Sequence, residues 1–442
     1  MGRRYRGKLP KEPIEMFIED LSHDGRGVAK WNDKVVFVQN ALPGERVMAT
    51  LNRKTRNYNE ALATEVLESS ADRVEPRCEF YTTCNGCSMM HLKEERQIDF
   101  KFNTLKSNFH KIAHVEPAAW LEPLTDSHWH YRRRARLSVK WVAPKEKVLV
   151  GFREKNGRFV ANMDHCHVLE PVLAELIKPL QALFLKMDIK AFIPQVECSV
   201  GEHAVSLIIR HMKPLVGNDL ALLRDFANDH QLHIFLQSKG PDTVVPLEPY
   251  EQSLNFRLNE YGLNYEFLPN DFIQVNSRMN EKMIKQALQA MDINENDVIL
   301  DLFCGLGNFT LPMAQQAASV VGVEGDQKLV ERARHNASLN DLNNAAFHVA
   351  DLTKDHLNSS WFNQPYSKVL IDPPRSGAWE ILPLVAQTSA TTLVYVSCHP
   401  ASLARDAERL VNEFGFKCTK AGVMDMFPHT SHVESMAIFT RQ

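Results

Sequence analysis

No stretch of this sequence approaches the ~18 consecutive apolar residues that a helical membrane span needs, so no membrane helix is expected. Charge of one sign is scarce too. With 51 Lys and Arg against 54 Asp and Glu, a formal net charge of −3 rules out wholesale coating of a nucleic acid. Any RNA contact must come from local basic clusters. Internal repeats and low-complexity tracts are missing. The opening MGRRYRGKLPKEP has basic residues but no apolar stretch behind them, unlike a signal peptide. Arg6 also spoils the myristoylation pattern that Gly2 suggests. These absences predict a cytoplasmic protein with no membrane contact, and no protein partner is evident. Eight cysteines in such a chain of 442 residues are not expected to be disulfides. Metal ligation, catalysis or core packing must account for them.

The chain is long enough for two or three domains. Residues 10 to 68 read as short strands punctuated by turns at Gly25, Gly27 and Gly44, the pattern of a small β-barrel. Basic patches flank it: Arg3, Arg4, Arg6 and Lys8, then Arg53, Lys54 and Arg56. They suit either a solvated surface or an RNA contact. The string DLSHDGRGVAK…VFVQNALPGERV resembles a TRAM domain, an OB-like RNA-binding barrel, and assigns residues 1–70 to it. A cysteine-bearing segment follows, then the helical pattern KEERQIDFKFNTLKSNFHKI. From about 128 to 265 strands mix with helices, an α+β central region that includes the cluster Tyr131-Arg-Arg-Arg-Ala-Arg136. Four arginines so close cannot all face one way on a strand, so some serve structure. From about 267 onward strands and helices alternate, which predicts an α/β Rossmann-like parallel sheet.

Ligands of such sheets bind at the carboxyl ends of the strands. After the first strand comes Asp301-Leu-Phe-Cys-Gly-Leu-Gly-Asn308, where Gly305 and Gly307 permit a tight turn beside a ligand. The second strand ends at Glu324, suited to a ribose diol, and the third at Asp351, suited to an adenine. A dinucleotide site would share these features. The fourth strand carries Asp372-Pro-Pro-Arg375, whose prolines hold an acceptor rigidly at the tip. That element is similar to the D/N-P-P of methyltransferases acting on nucleobases.

The fifth strand delivers Cys398 to the same edge. A thiolate there can attack C6 of a uracil and make C5 nucleophilic enough to take a methyl group. A base must then remove the C5 proton. Glu434, expected in a loop before the last strand, is one candidate, with His429 and His432 as competitors.

The strings FIQVN, DLFCGLGNF, DPPRSG, VSCHPASLARD and FPHTSHVESM, within residues 267 to 442, closely resemble the RNA (uracil-5-)-methyltransferase family. The resemblance implies S-adenosylmethionine bound by Gln274, Phe303, Asn308, Glu324, Asp351 and Asp372. It also implies Cys398 as nucleophile and Glu434 as proton acceptor. Two departures show, His399 where the family usually has Asn and Ser431 where it usually has Gly. A flipped target base would stack on aromatic rings, with Phe272 and Phe309 as candidates.

Cys78, Cys84 and Cys87, with Cys166 much later, suit either a [4Fe–4S] cluster or tetrahedral zinc. Only one C-x2-C pair exists, and the C-x3-C-x2-C of radical enzymes is missing. The spacing resembles the iron–sulfur branch of the same family, which implies a [4Fe–4S] cluster on Cys78, Cys84, Cys87 and Cys166. Barrel, cysteines and catalytic region together resemble its 23S ribosomal RNA members and imply uracil 1939 as target. The implied domains are TRAM (1–70), central with cluster (75–92 and 126–265) and catalytic (93–125 and 266–442).

Overall fold

The computed structural model describes residues 9, 10, 12–155, 157–354 and 356–441, so Arg3, Arg4, Arg6 and Lys8 lie outside the described residues. The chain divides into two units. One runs to Thr104 and includes Phe427–His432, and the other comprises Leu105–Met426 and the chain from Val433. Among the described residues no helix is long and apolar enough to cross a membrane.

In the first unit, strands β1 (Ile14–Phe17), β2 (Asp20–Leu21), β3 (Gly27–Trp31), β4 (Lys34–Gln39), β5 (Arg46–Lys54) and β6 (Tyr58–Glu68) form one sheet, ordered β1-β5-β6-β4-β3-β2. Alternate residues such as Val36 and Val38 point inward, the period-2 pattern of a half-buried strand. Met16 of β1 and Ala29 of β3 share one core cluster, so the sheet curls on itself. Register shifts between β5 and β6 supply local bends. Residues 75–92 group with this unit and not with the central sheet. Val74 N–H donates to His91 O, and Met89 and Leu92 pack on Leu42.

The boundary between units falls within helix α1 (Glu94–Asn108), which continues as a π-helical turn, Phe109–Ala113. The central region of the second unit contains, after β7 (Ala119–Trp120), strands β8 (Arg134–Val142) and β9 (Lys147–Gly151) and helices α2 (Pro171–Glu175) and α3 (Ile177–Lys186). Then come β10 (Gln195–Val200), β11 (Val205–Arg210), α4 (Gly217–His230), β12 (Leu232–Gln237) and β13 (Val244–Pro246). Its sheet is ordered β13-β12-β11-β10-β8-β9 and is antiparallel except for β11 with β12. A hairpin of β14 (Leu254–Leu258) and β15 (Leu263–Phe267) leads to α5 (Ser277–Met291).

The α/β part follows as β16 (Val298–Leu302), α6 (Thr310–Ala314), β17 (Ser319–Glu324), α7 (Gln327–Leu339), β18 (Ala345–Val349), β19 (Lys368–Ile371), α8 (Leu382–Gln387), β20 (Thr392–Ser397), α9 (Pro400–Asn412), β21 (Lys417–Met424) and β22 (Glu434–Thr440). The sheet is ordered β18-β17-β16-β19-β20-β22-β21-β7. Strands β16 to β20 are mutually parallel, and β22 is antiparallel to both neighbours. Near-continuous apolar runs such as the fully buried β19 reflect cover on both faces. The strand order reverses between β16 and β19, opening a crevice at their carboxyl ends.

Candidate active site

The strand tips of this sheet carry an unusual set of carboxylates. Asp301 at the end of β16 is fully buried, and its Oδ2 accepts from Thr310 Oγ1 at 2.5 Å while Oδ1 has no partner. Burial, reinforced by the charges of Asp372 and Glu324, pushes its carboxyl up to about 8. Phe303 and Gly305 have left-handed φ values of 64° and 55°. The space around Gly305, where a side chain would project, is open to 4 Å. Strained backbone next to open space is the geometry of a ligand cradle.

Glu324 ends β17 and ties this loop to its own strand. Its Oε2 accepts from Gly305 N–H at 3.1 Å, and its Oε1 from Gly325 and Asp326 N–H at 2.7 and 3.1 Å. Oε2, with one donor, keeps a further lone pair for a ligand hydroxyl, whereas Oε1 already accepts two bonds. Asp351, just beyond β18, is exposed and bonded within its own turn, to Thr353 N–H and hydroxyl at 3.1 and 2.6 Å. Those Thr353 bonds hold its carboxyl down at about 2. The Asn308 side chain is oriented by a reciprocal pair with the amide of Asn280 on α5, both bonds 2.9 Å. Its second N–H and second oxygen lone pair are not used by that pair. Gln274 is held through its carbonyl, which accepts from buried Arg133 Nε at 2.9 Å. Arg133 is thus one of the arginines that serve structure, lying over the Phe256 ring at 4.5 Å.

Asp372 follows β19. Enclosure pushes its carboxyl up to about 7, and among the described residues no group donates to it. The loop beyond it docks on α9 through Asp406, whose Oδ2 accepts from Ala378 N–H and Tyr395 Oη, both at 2.7 Å. Gly377 is required there, since a Cβ would come 2.5 Å from Asp406 Oδ2.

Cys398 lies half-buried at the tip of β20. Burial, then the charges of Glu434 and Asp372, push its thiol up to about 11, while the Arg375 guanidinium hydrogen-bonds it and favours the thiolate. Thiol, two carboxylates and one arginine therefore share one neighbourhood. Glu434 is the first residue of β22, paired with Met424, and not a solvated loop residue: it is 4% exposed. Its competitors differ. His429 is buried in the first unit, its N–H accepted by Gln97 Oε1 at 2.8 Å, and exposed His432 packs edge-on to Phe427.

His399 performs the capping role open to an Asn: its Nδ1 accepts from Ser402 N–H at 3.2 Å at the start of α9. Ser431 does not have the positive φ that would demand glycine. Of the two aromatic candidates, Phe272 is 67% exposed, whereas Phe309 is 2% exposed and belongs to the core. Asn280, Asp406 and the pairing of Arg375 with the thiol carry no sequence signal, because each depends on a contact between distant positions.

In the first unit, Cys78, Cys84 and Cys87 lie in a turn-rich segment. Gly86 N–H donates to Cys84 Sγ at 3.3 Å, and Tyr81 Oη donates to Ser88 O at 2.8 Å. Burial and the charge of Cys87 push the Tyr81 phenol well up. Cys166 is buried in the second unit. The basic patch on β5 is partly occupied: Arg53 pairs with Glu60 at 3.2 Å, and Lys54 lies over Trp31.

Residues 12–63 match the TRAM domain, and residues 93–442 match the family tRNA (Uracil-5-)-methyltransferase. A relative from Xanthomonas oryzae pv. oryzae, the 23S rRNA (uracil(1939)-C(5))-methyltransferase RlmD, is 50% identical over 99% of this chain and 100% of its own. The protein of that name from Stenotrophomonas maltophilia is 48% identical over the same shares. The solved Pyrococcus abyssi tRNA (uracil-54, C5)-methyltransferase, in complex with S-adenosyl-L-homocysteine, shares the fold. Its TM-score is 0.73 at 23% identity, covering 97% of this chain and 100% of that one. The chain belongs to the tRNA (uracil-5-)-methyltransferase family.

Proposed function

We propose that this protein methylates C5 of a uracil in 23S ribosomal RNA, uracil 1939 by likeness to the relatives so named, through a covalent bond from Cys398. The observation that carries this reading is the thiol of Cys398 beside Glu434, Asp372 and Arg375 at the open edge of the sheet. Bound S-adenosylmethionine supplies an electrophilic methyl group on a sulfonium. The residues fit that cofactor: an open cradle at Gly305, Glu324 Oε2 for a ribose hydroxyl, and an unpaired Asp372. Gln274, Phe303, Asn308 and Asp351 complete the set.

As a thiolate, Cys398 adds to C6 of the uracil, and the electron pair moves to C5, which then takes the methyl group. Arg375 stabilises the thiolate before attack. Glu434 removes the proton from C5, the C6–S bond breaks, and the thiolate is restored. Phe272, exposed beside Gln274, offers a ring for the flipped base. By resemblance, Cys78, Cys84, Cys87 and Cys166 are ligands of a [4Fe–4S] cluster. The Gly86 N–H on Cys84 sulfur suits thiolate ligation. Its role is structural, since methyl transfer needs no electrons. The first unit's sheet binds RNA as a TRAM domain, and a ribosomal RNA substrate implies action in the cytoplasm.

RNA carrying 5-fluorouridine tests the mechanism, because fluorine cannot leave C5 as a proton and elimination stalls. With cofactor, a stable adduct on Cys398 is expected by mass spectrometry, and none with Cys398→Ala. Glu434→Gln should form the adduct even on ordinary RNA and release it slowly. A Cys398→Ala protein that still methylates would point instead to an exocyclic amine as target and overturn the proposal.

A further inference from the structure

Far along strand β8 from the candidate active site, the second unit has a cavity of about 550 Å³ that the reaction does not use. Its size is that of a site for a nucleotide-sized ligand. Trp141, Phe159, Phe192 and Met212 line it. Phe159 is 63% exposed and Met212 59%, an apolar display that folding alone does not explain. Lys140, Arg153 and Arg158 also line it, all exposed, and no acidic side chain does among the described residues. Further ammonium groups lie against two of the rings. Lys213 Nζ lies 3.9 Å from the Phe192 centroid and Lys190 Nζ 5.1 Å from that of Trp141.

Rings interleaved with cations, in a chain whose overall charge is −3, select for an anion with a flat aromatic part. That is the chemistry of an unstacked nucleotide. The position suits an RNA already engaged at the active site. Arg133, which holds the carbonyl of Gln274, is separated from Trp141 by about 26 Å of extended chain along β8. We propose that this cavity holds an unpaired nucleotide of the RNA substrate, its base against the exposed rings and its phosphate against Arg153 and Arg158. The proposal rests on the RNA-substrate reading above and adds a second anchoring point to it.

The test uses the full-length protein and a 23S rRNA stem–loop transcript containing the target uracil. Affinity is measured by fluorescence anisotropy, separately from methylation, so that a failed uracil assignment is seen as absent product with wild-type protein. Phe159→Ala should weaken binding by about 5- to 100-fold without changing the salt dependence, as loss of a stacked base does. Arg153→Glu with Arg158→Glu should weaken it and flatten the slope of log affinity against log salt by roughly 0.7 per lost phosphate contact. Affinity for S-adenosylmethionine should stay as in the wild type, which also shows that the variants fold. Photocrosslinks from 4-thiouridine in the transcript should map to the peptide bearing Phe159. Unchanged affinity in both variants would overturn the proposal and leave a peptide as the better occupant. Crosslinks confined to other peptides would overturn it as well.

Discussion

Glu45 of the first unit and the strand-tip carboxylates of the second are treated in opposite ways. In the first, Glu45 is fully enclosed and fully answered: Arg73 reaches both its oxygens, at 2.6 and 2.7 Å, and Leu42 and Ser70 N–H donate to them. In the second, Asp301 leaves one oxygen unpaired, Asp372 receives no donor, and both are pushed up into the neutral range. A satisfied buried pair fixes one conformation, here joining residues 40–45 to the chain at 70–73. Unsatisfied carboxylates cost stability and persist where a ligand completes them. Charge is thus spent on architecture at Glu45, as it is at Asp406 within the second unit, and held open for chemistry at the strand tips.

Removing Arg73 should produce the largest change in stability. Arg73→Ala strands the Glu45 carboxylate, and about 3–5 kcal/mol should be lost. The loss should show as faster hydrogen exchange across β3 to β6, with β16 to β20 unaffected. Arg73→Lys should recover only part, since an ammonium cannot reproduce the two-pronged guanidinium contact. Equal loss in both units would mean that Glu45 is not a local clasp.

Asp372→Asn should behave the other way. The folded carboxyl is raised from 3.8 to about 7, so its contribution to stability is intact below pH ~4 and lost as pH rises toward 7. The amide escapes that loss. Its melting temperature should match the wild type near pH 4 and exceed it by a few °C at pH 8, while methylation falls sharply. A difference independent of pH would show that the carboxyl is not enclosed as described.

The strand tips were legible in the sequence because each is local: a strand, its last residue and the turn after it lie within a few positions, as at Asp301 to Gly307 and Asp372 to Arg375. Cys398 and the parallel order of the sheet followed from the same alternation. Contacts between distant positions were not legible. Asn280 orienting Asn308, Asp406 seating the loop at Gly377 and Arg133 gripping the carbonyl of Gln274 join residues 28 to 141 positions apart. Glu434 read as a loop residue because SHVES has no apolar alternation, yet its pairing with Met424 makes it the start of a buried strand. The grouping of residues 75–92 with the barrel depended likewise on packing of Met89 and Leu92 on Leu42, which no spacing announces.

The smallest expected effect separates the two partners of the thiol. Burial, then the charges of Glu434 and Asp372, push the Cys398 thiol up to about 11, and Arg375 opposes them. Its alkylation by iodoacetamide should be slow at pH 7 and climb through the alkaline range, because only the thiolate reacts. Glu434→Gln removes a negative charge and should move this profile to lower pH by up to about one unit. Arg375→Ala removes the stabilising cation and should move it to higher pH. Peptide mapping isolates Cys398 from the other thiols, and Cys398→Ala gives the blank. Opposite shifts from two single substitutions cannot come from general loosening, which would hydrate the thiol and lower both profiles. If both fall together, or Glu434→Gln moves nothing, Glu434 does not face the thiol and its assignment as proton acceptor fails with it.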